Sequence, residues 1–78
     1  MISSHHEYRG YVFSIEYEAR DPAFVVEFPD FPNIITSGAT LGDAFGNACE
    51  ALDLHLESLQ KIGKRLPKPK HSLVLQTV

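Results

Sequence analysis

The sequence predicts an α+β domain in which three antiparallel strands precede one long helix and a last strand, in the order β-β-β-α-β. Apolar and polar residues alternate over residues 11–18 and 24–28, which is typical of half-buried strands. Over residues 41–62 the apolar spacing changes to three or four residues, which predicts a helix with one apolar face. Such a face must be buried, so we expect the helix to cover one side of an antiparallel meander.

Short turns join the predicted strands. The first strand places its core residues on one side, namely Tyr11, Phe13, Ile15 and Tyr17. Residues 19–22 have the composition of a turn, so the first two strands are expected to form a hairpin. A third strand is predicted over residues 34–37, and Gly38 ends it. Residues 71–78 predict a final strand that lies beside the first and parallel to it.

The helix has recognisable start and stop signals. Thr40 is predicted to cap its N-terminus, and Asp43 completes a loose capping box. Gly63 is predicted to end the helix, because glycine accepts the left-handed conformation common at helix ends. The apolar face is predicted to comprise Leu41, Phe45, Ala48, Leu52, Leu56, Leu59 and Ile62.

Size and composition predict one small domain over residues 1–78, with residues 1–8 frayed. A chain of 78 residues buries only about 60% of its unfolded surface, so we expect a homodimer or a higher oligomer. No apolar run approaches the roughly 18 residues of a membrane span. The lone Cys49 and the absence of a secretory leader favour a cytoplasmic protein.

Charge is distributed unevenly along the chain. All ten acidic residues and only two basic ones lie in the first sixty residues, which leaves a net charge of −8. The remaining residues carry +5, from Lys61, Lys64, Arg65, Lys68 and Lys70. An acidic body favours a basic partner, although a purely solubilising surface would carry the same charges. The basic run lacks interleaved aromatic residues and is interpreted as a solvated helix end and linker rather than a nucleic-acid site.

Several short motifs occur in a familiar order. Residues 25–32 read Val-Val-Glu-Phe-Pro-Asp-Phe-Pro, and residues 36–40 read Thr-Ser-Gly-Ala-Thr. An Ala/Asn/Leu-rich helix follows, and a proline-rich exit closes the pattern at residues 66–69. Together these motifs resemble the HicB antitoxin family over about residues 10–75. Asn33 stands where the family usually has glycine, and asparagine is among the few other residues that tolerate positive φ.

The resemblance implies a fold, a partner and a role. The fold would be a degraded ribonuclease-H-like domain. The partner would be a small basic HicA-like toxin that cleaves messenger RNA with a histidine, and the antitoxin would neutralise it by covering that site. Many family members also carry a C-terminal DNA-binding domain, and none is expected here, because Val78 is only one predicted strand past the helix. The expected partners are therefore this toxin and further copies of the chain, with no direct DNA-binding domain and no membrane.

The candidate partner-binding residues lie on the first hairpin and in the loop that contains Pro29 and Pro32. They are Glu16, Glu18, Glu27, Asp30, Phe31 and Asn33. Glu16 and Glu18 are expected to face outward, because the core residues of that strand alternate with them. Asp30 could equally be a turn former or a backbone cap. Phe31 could be packed under the loop or exposed as an anchor.

Two other functions compete with an antitoxin role, namely a nuclease and an interaction domain without a toxin. A ribonuclease-H-like nuclease needs several carboxylates that converge on metal ions, whereas the predicted inward positions of the first strand are apolar. We therefore expect a chain that is not an enzyme and has no catalytic residues, no bound metal and no cofactor. An interaction domain without a toxin is the other alternative.

The histidines and the cysteine are expected to have structural rather than chemical roles. His5 and His6 are expected to lie in a solvated terminus, and His55 at the edge of the helix face. Cys49 is interpreted as a small packing residue, because no histidine and acid are placed to activate it.

Overall fold

The computed structural model describes residues 3–71, which form one antiparallel sheet and one helix. The strands are β1 (Ser3–Tyr8), β2 (Tyr11–Glu18), β3 (Ala23–Glu27) and β4 (Ile35–Gly38), and the helix is α1 (Leu41–Lys61). The sheet order is β1-β2-β3-β4, with every neighbouring pair antiparallel. The predicted α+β class and the antiparallel meander are therefore confirmed for these residues. The relation to ribonuclease-H-like folds stays a prediction.

The prediction that residues 1–8 are frayed is wrong for residues 3–8. These residues form β1, which pairs with β2 from Ser3 opposite Glu16 to Tyr8 opposite Tyr11. Arg9 and Gly10 form the two-residue turn between them, with φ values of 55° and 87°. Positive φ at both central residues is the geometry of a type I′ turn, which matches the twist of the flanking strands.

The predicted final strand over residues 71–78 falls almost entirely outside the described residues. Within the described residues, β2 has β1 on one side and β3 on the other. His71 lies outside any strand, and residues 72–78 lie outside the described residues.

The core lies between α1 and one face of the sheet. Alternate residues of β2 and β3 point toward the helix, as the pairing of Ile15 with Val26 shows. The buried cluster comprises Tyr11, Phe13, Ile15, Val26, Phe28, Phe31, Ile34, Ala44, Ala48, Leu52 and Leu56. The helix therefore buries one apolar stripe, and no helix within residues 3–71 covers the opposite face of the sheet.

Both ends of α1 follow the predicted signals. The Asp43 backbone N–H donates to Thr40 Oγ1 at 3.0 Å, which is the expected N-cap bond. At the C-terminus Gly63 has φ of 76°, and the Lys64 N–H donates to the Leu59 carbonyl at 2.9 Å. These features form a Schellman motif, which satisfies carbonyl groups at the helix end.

The predicted apolar face of α1 is correct at its centre and wrong at its margins. Ala48, Leu52 and Leu56 are buried, whereas Leu41 and Ile62 are exposed. Phe45 is 39% exposed and contacts the Phe13 ring at a centroid distance of 5.5 Å. It therefore lies at the rim of the helix–sheet interface rather than within it.

Candidate partner-binding site

The sheet has an open face, which we define as the side of the strands that faces away from α1. Its glutamates are Glu7 on β1, Glu16 and Glu18 on β2, and Glu27 on β3. Glu16 lies opposite Val25 and Glu27 lies opposite Ser14, so Glu16 and Glu27 are diagonal neighbours. All four side chains are exposed. Within the described strands this face carries no lysine or arginine, so we name these four glutamates the acidic face.

A groove of about 760 Å³ lies beside these glutamates. Its apolar floor includes Val12, Val25 and Ile35, and the Ile35 side chain is 86% exposed. Pro29 and Pro32 form part of its rim. Polar side chains also line it, namely those of His5, Ser14, Glu27 and His71. An apolar floor beside carboxylates suits a segment with aliphatic stems and cationic ends, as lysine and arginine have.

Two consecutive β-turns build the proline loop, which we define as residues 28–34. The Phe31 N–H donates to the Phe28 carbonyl at 3.0 Å, and the Ile34 N–H donates to the Phe31 carbonyl at 2.9 Å. Each turn therefore has proline at its second position, where the fixed φ of proline is favoured. Asn33 is exposed, and Arg9 is the one non-glycine residue with positive φ among those described. The expectation that Asn33 replaces glycine for its conformation is therefore wrong.

Phe31 is packed under the loop, which decides between its two predicted roles. Its side chain is buried and contacts the rings of Tyr11 and His55, both at centroid distances of 4.9 Å. His55 is half-buried, as predicted for the edge of the helix face. The exposed-anchor alternative for Phe31 is wrong in this structure.

Asp30 points toward a segment forty residues further along the chain. Its Oδ1 accepts the Lys70 backbone N–H at 3.1 Å and lies 2.7 Å from His71 Nδ1. The Asp30 side chain is only 4% exposed, and its Oδ2 has no hydrogen-bond partner. Burial raises the pKa of Asp30, but the bonds from His71 and Lys70 outweigh this, so its pKa lies below the ordinary value. Asp30 is therefore an internal latch, which corrects its placement among the partner-contacting residues.

The latch holds down the C-terminal arm, which we define as residues 64–71. Leu66 packs against the core, and the Tyr11 hydroxyl donates to the Pro67 carbonyl. The lysine and arginine side chains of the arm are exposed, as predicted. The arm is nevertheless held in place, because these contacts fix it against the proline loop and the start of β2.

The structure corrects the role of His6. Its ring lies 5.3 Å from the Phe13 ring and 5.2 Å from the Phe45 ring, between centroids, so it packs on the helix side of β1. Ser4 Oγ and His6 Nε2 are 2.8 Å apart and form a hydrogen bond. His5, on the open face, is exposed as expected.

A polar cluster joins the β1–β2 turn to α1. Asp53 accepts the Tyr8 hydroxyl at 2.9 Å and Arg9 Nη1 at 3.0 Å. The bond to Asp53 raises the pKa of Tyr8, because it stabilises the neutral phenol. Cys49 is half-buried, and burial raises the pKa of its thiol. A raised pKa disfavours the reactive thiolate, in agreement with the predicted packing role.

No group of three or more histidine, cysteine, aspartate or glutamate side chains in residues 3–71 could hold a metal ion. No helix in the same range combines the length and the apolar character that crossing a membrane requires.

The structure separates the six predicted site residues into two groups. Glu16, Glu18 and Glu27 lie together on the open face, and Asn33 is exposed in the proline loop. Asp30 and Phe31 point inward. Sequence reasoning missed Glu7, since β1 was not predicted, and it missed the groove floor at Val25 and Ile35. The alternation of Val25 with Phe24 and Val26 was the available signal for an outward valine.

A small antiparallel sheet with one helix-covered face and one open, acidic face defines a compact α+β domain with a surface suited to binding. A family model described as "HicB_like antitoxin of bacterial toxin-antitoxin system" matches residues 11–77. The chain therefore belongs to the HicB-like antitoxin family.

The chain is also similar in sequence to a phage protein. An uncharacterized 14.9 kDa protein from the rep-hol intergenic region of Haemophilus phage HP1 (strain HP1c1) is 35% identical over 57 residues. The match covers 73% of this chain and 43% of that protein, so the chain spans about two fifths of its relative's length. No solved structure matches the chain.

Proposed function

We propose that this chain is the antitoxin of a toxin–antitoxin pair and that it binds a small basic HicA-like toxin that cleaves messenger RNA. Membership of the HicB-like antitoxin family supports an antitoxin role and a toxin as partner. The acidic face carries the finer proposal, because four exposed glutamates with no cation among them attract a basic surface. Since the target is messenger RNA, we place the complex in the cytoplasm.

Neutralisation would follow from competition for the same cations. A toxin that binds RNA must present lysine or arginine to the phosphates. Glu16, Glu18 and Glu27 offer carboxylates to those cations, and the apolar groove beside them accommodates the side-chain stems. A toxin seated on this face cannot bring its catalytic histidine to RNA. In this account the antitoxin acts by occupation alone, so we assign no catalytic residue, metal or cofactor to it.

The proline loop supports binding by rigidity rather than by direct contact. Two proline turns, the buried Phe31 and the Asp30 latch determine its conformation before any partner arrives. A preorganised rim loses little conformational entropy on binding, which favours affinity. Asn33 is the one residue of the loop that we retain from the predicted set as a direct partner contact, because its side chain is exposed.

A reconstituted cleavage assay tests the proposal. The assay uses a purified HicA-like toxin, preferably a short basic protein whose gene adjoins that of this chain, and follows its cleavage of a defined messenger RNA with and without the chain. We expect cleavage to stop at stoichiometric amounts of the chain. Unchanged cleavage at a several-fold excess of the chain would contradict the proposal and would favour an interaction domain without a toxin.

A further inference from the structure

β1 is an edge strand in the described part of the chain, and it is firmly held in place. All six of its residues pair with β2, without a bulge. The Tyr8 hydroxyl ties its end to Asp53 on the helix, and the His6 ring packs against Phe13 and Phe45. Its sequence, Ser-Ser-His-His-Glu-Tyr, contains neither lysine nor proline. Proteins commonly use those residues, or bulges, to prevent edge strands from pairing with other chains.

The other edge of the sheet is protected. β4 has only four residues, and the Asn47 side-chain amide donates to the Ser37 carbonyl at 2.8 Å. A side chain from α1 therefore already uses a backbone acceptor of this strand. The two edges differ in length and in protection, and β1 is the one whose outer side no described residue pairs with.

The turn geometry shows which backbone groups of β1 point outward. In a type I′ turn the first and fourth residues are hydrogen-bonded, so Tyr8 and Tyr11 form a bonded pair. Bonded and non-bonded pairs alternate along an antiparallel ladder, so His6 and Ser4 also bond toward β2. The N–H and C=O groups of Ser3, His5 and Glu7 therefore point away from the sheet. The side chains of the same three residues lie on the open face.

We propose that two copies of this chain pair through the outer edge of β1, antiparallel and related by a twofold axis at His6. This register places His5 of each copy opposite Glu7 of the other, and each such pair exchanges two backbone hydrogen bonds. The imidazole of His5 can donate to the carboxylate of Glu7, so the edge is self-complementary. The product is a continuous eight-stranded sheet with both helices on one side and both acidic faces on the other.

This inference is independent of the proposed toxin. β1 lies outside residues 11–77, which the family model matches, so family membership is not part of the argument for this interface. The alternative register centred on His5 would place the two copies of that histidine opposite each other and leave Glu7 opposite Ser3. It therefore lacks the hydrogen-bonding pair of His5 with Glu7, which is why we place the axis at His6.

Sedimentation of the full chain without any partner tests the interface. We expect a reversible dimer over about 1–300 µM, because an interface of one edge strand is small. His5→Pro removes an outward N–H without removing a bond to β2, and it should weaken the dimer at least tenfold. A monomer over the whole range, or a dimer that His5→Pro leaves intact, would overturn the proposal.

Charge exchange tests the register and does not depend on the proline variant. His5→Glu and Glu7→Lys should each weaken the dimer, because each destroys the complementary pair. Both positions are exposed on the open face, so the monomer should keep its fold by circular dichroism. The double variant should dimerise again, because the introduced carboxylate and ammonium then face each other. If each single variant weakens the dimer and the double variant does not restore it, the register centred on His6 is excluded.

Discussion

At the scale of single residues, Asp30 joins two segments that lie forty residues apart. Sequence reasoning could identify it as a turn former, because the aspartate follows a proline at a strand end. It could not identify the partner, because the contacts to Lys70 and His71 depend on how the arm folds back over the loop. The same folding decides that the Asp30 carboxylate is buried rather than available to another protein.

Replacing Asp30 should release the C-terminal arm. Asp30→Asn keeps the size of the side chain but removes the negative charge that both hydrogen bonds favour. Because the pKa of Asp30 is lower in the folded protein, its contribution to stability is present above the ordinary value of 3.8 and is lost as pH falls through the folded pKa. We expect faster amide hydrogen exchange over residues 64–71 in the variant at neutral pH. Equal exchange in both proteins would show that the latch does not hold the arm.

The acidic face was partly predictable at this scale. The period of two on β2 identifies Glu16 and Glu18 as outward residues, and the structure confirms their exposure. Glu27 follows from the same alternation on β3. Glu7 could not be identified, because its outward direction has meaning only once β1 is known to be a strand.

At the scale of elements, two glycines in the same short stretch have opposite roles. Gly38 ends β4 close against the first turns of α1, and a β-carbon there would lie 2.3 Å from the Ala44 nitrogen. Gly46 lies on the exposed side of α1, where a β-carbon would have no neighbour within 4 Å. The two positions therefore allow a matched pair of alanine substitutions.

The two substitutions should change stability in opposite directions. Gly38→Ala forces the helix and β4 apart and should lower the free energy of unfolding by about 1–3 kcal/mol or more. Gly46→Ala replaces a poor helix former at an exposed position and should raise it by about 1 kcal/mol. Urea titrations of both variants measure these changes. A stabilising effect of Gly38→Ala would contradict the close helix–strand approach.

β2, β3 and the helix follow from apolar periodicity and β4 from a short β-branched run, whereas β1 follows from neither. Its inward residues are Ser4, His6 and Tyr8, which are held by hydrogen bonds and ring packing rather than by aliphatic burial. Its turn uses Arg9 at positive φ, where a sequence search expects asparagine, aspartate or glycine. The strand therefore depends on tertiary contacts, above all those with Asp53. No local sequence pattern reveals these contacts.

At the scale of the whole molecule, the charge asymmetry of the sequence becomes a spatial one. Four glutamates lie on the open face of the sheet, and the exposed cations of residues 61–70 follow the helix and the arm. This separation explains how a chain with a net charge of only −3 can present a strongly acidic surface to a basic partner. It also predicts that binding depends on where a charge lies and not on the net charge alone.

The rate of association between the chain and its toxin, measured against salt concentration, tests the central proposal most directly. Two double variants change the net charge equally: Glu16→Lys with Glu27→Lys on the open face, and Glu50→Lys with Glu57→Lys on the exposed side of α1. We expect the wild-type rate to fall as salt screens the surface charges, and the open-face variant to associate at least about tenfold more slowly at low salt. The helix variant should stay close to wild type. Equal slowing in both variants, or slowing only in the helix variant, would contradict an interface on the acidic face.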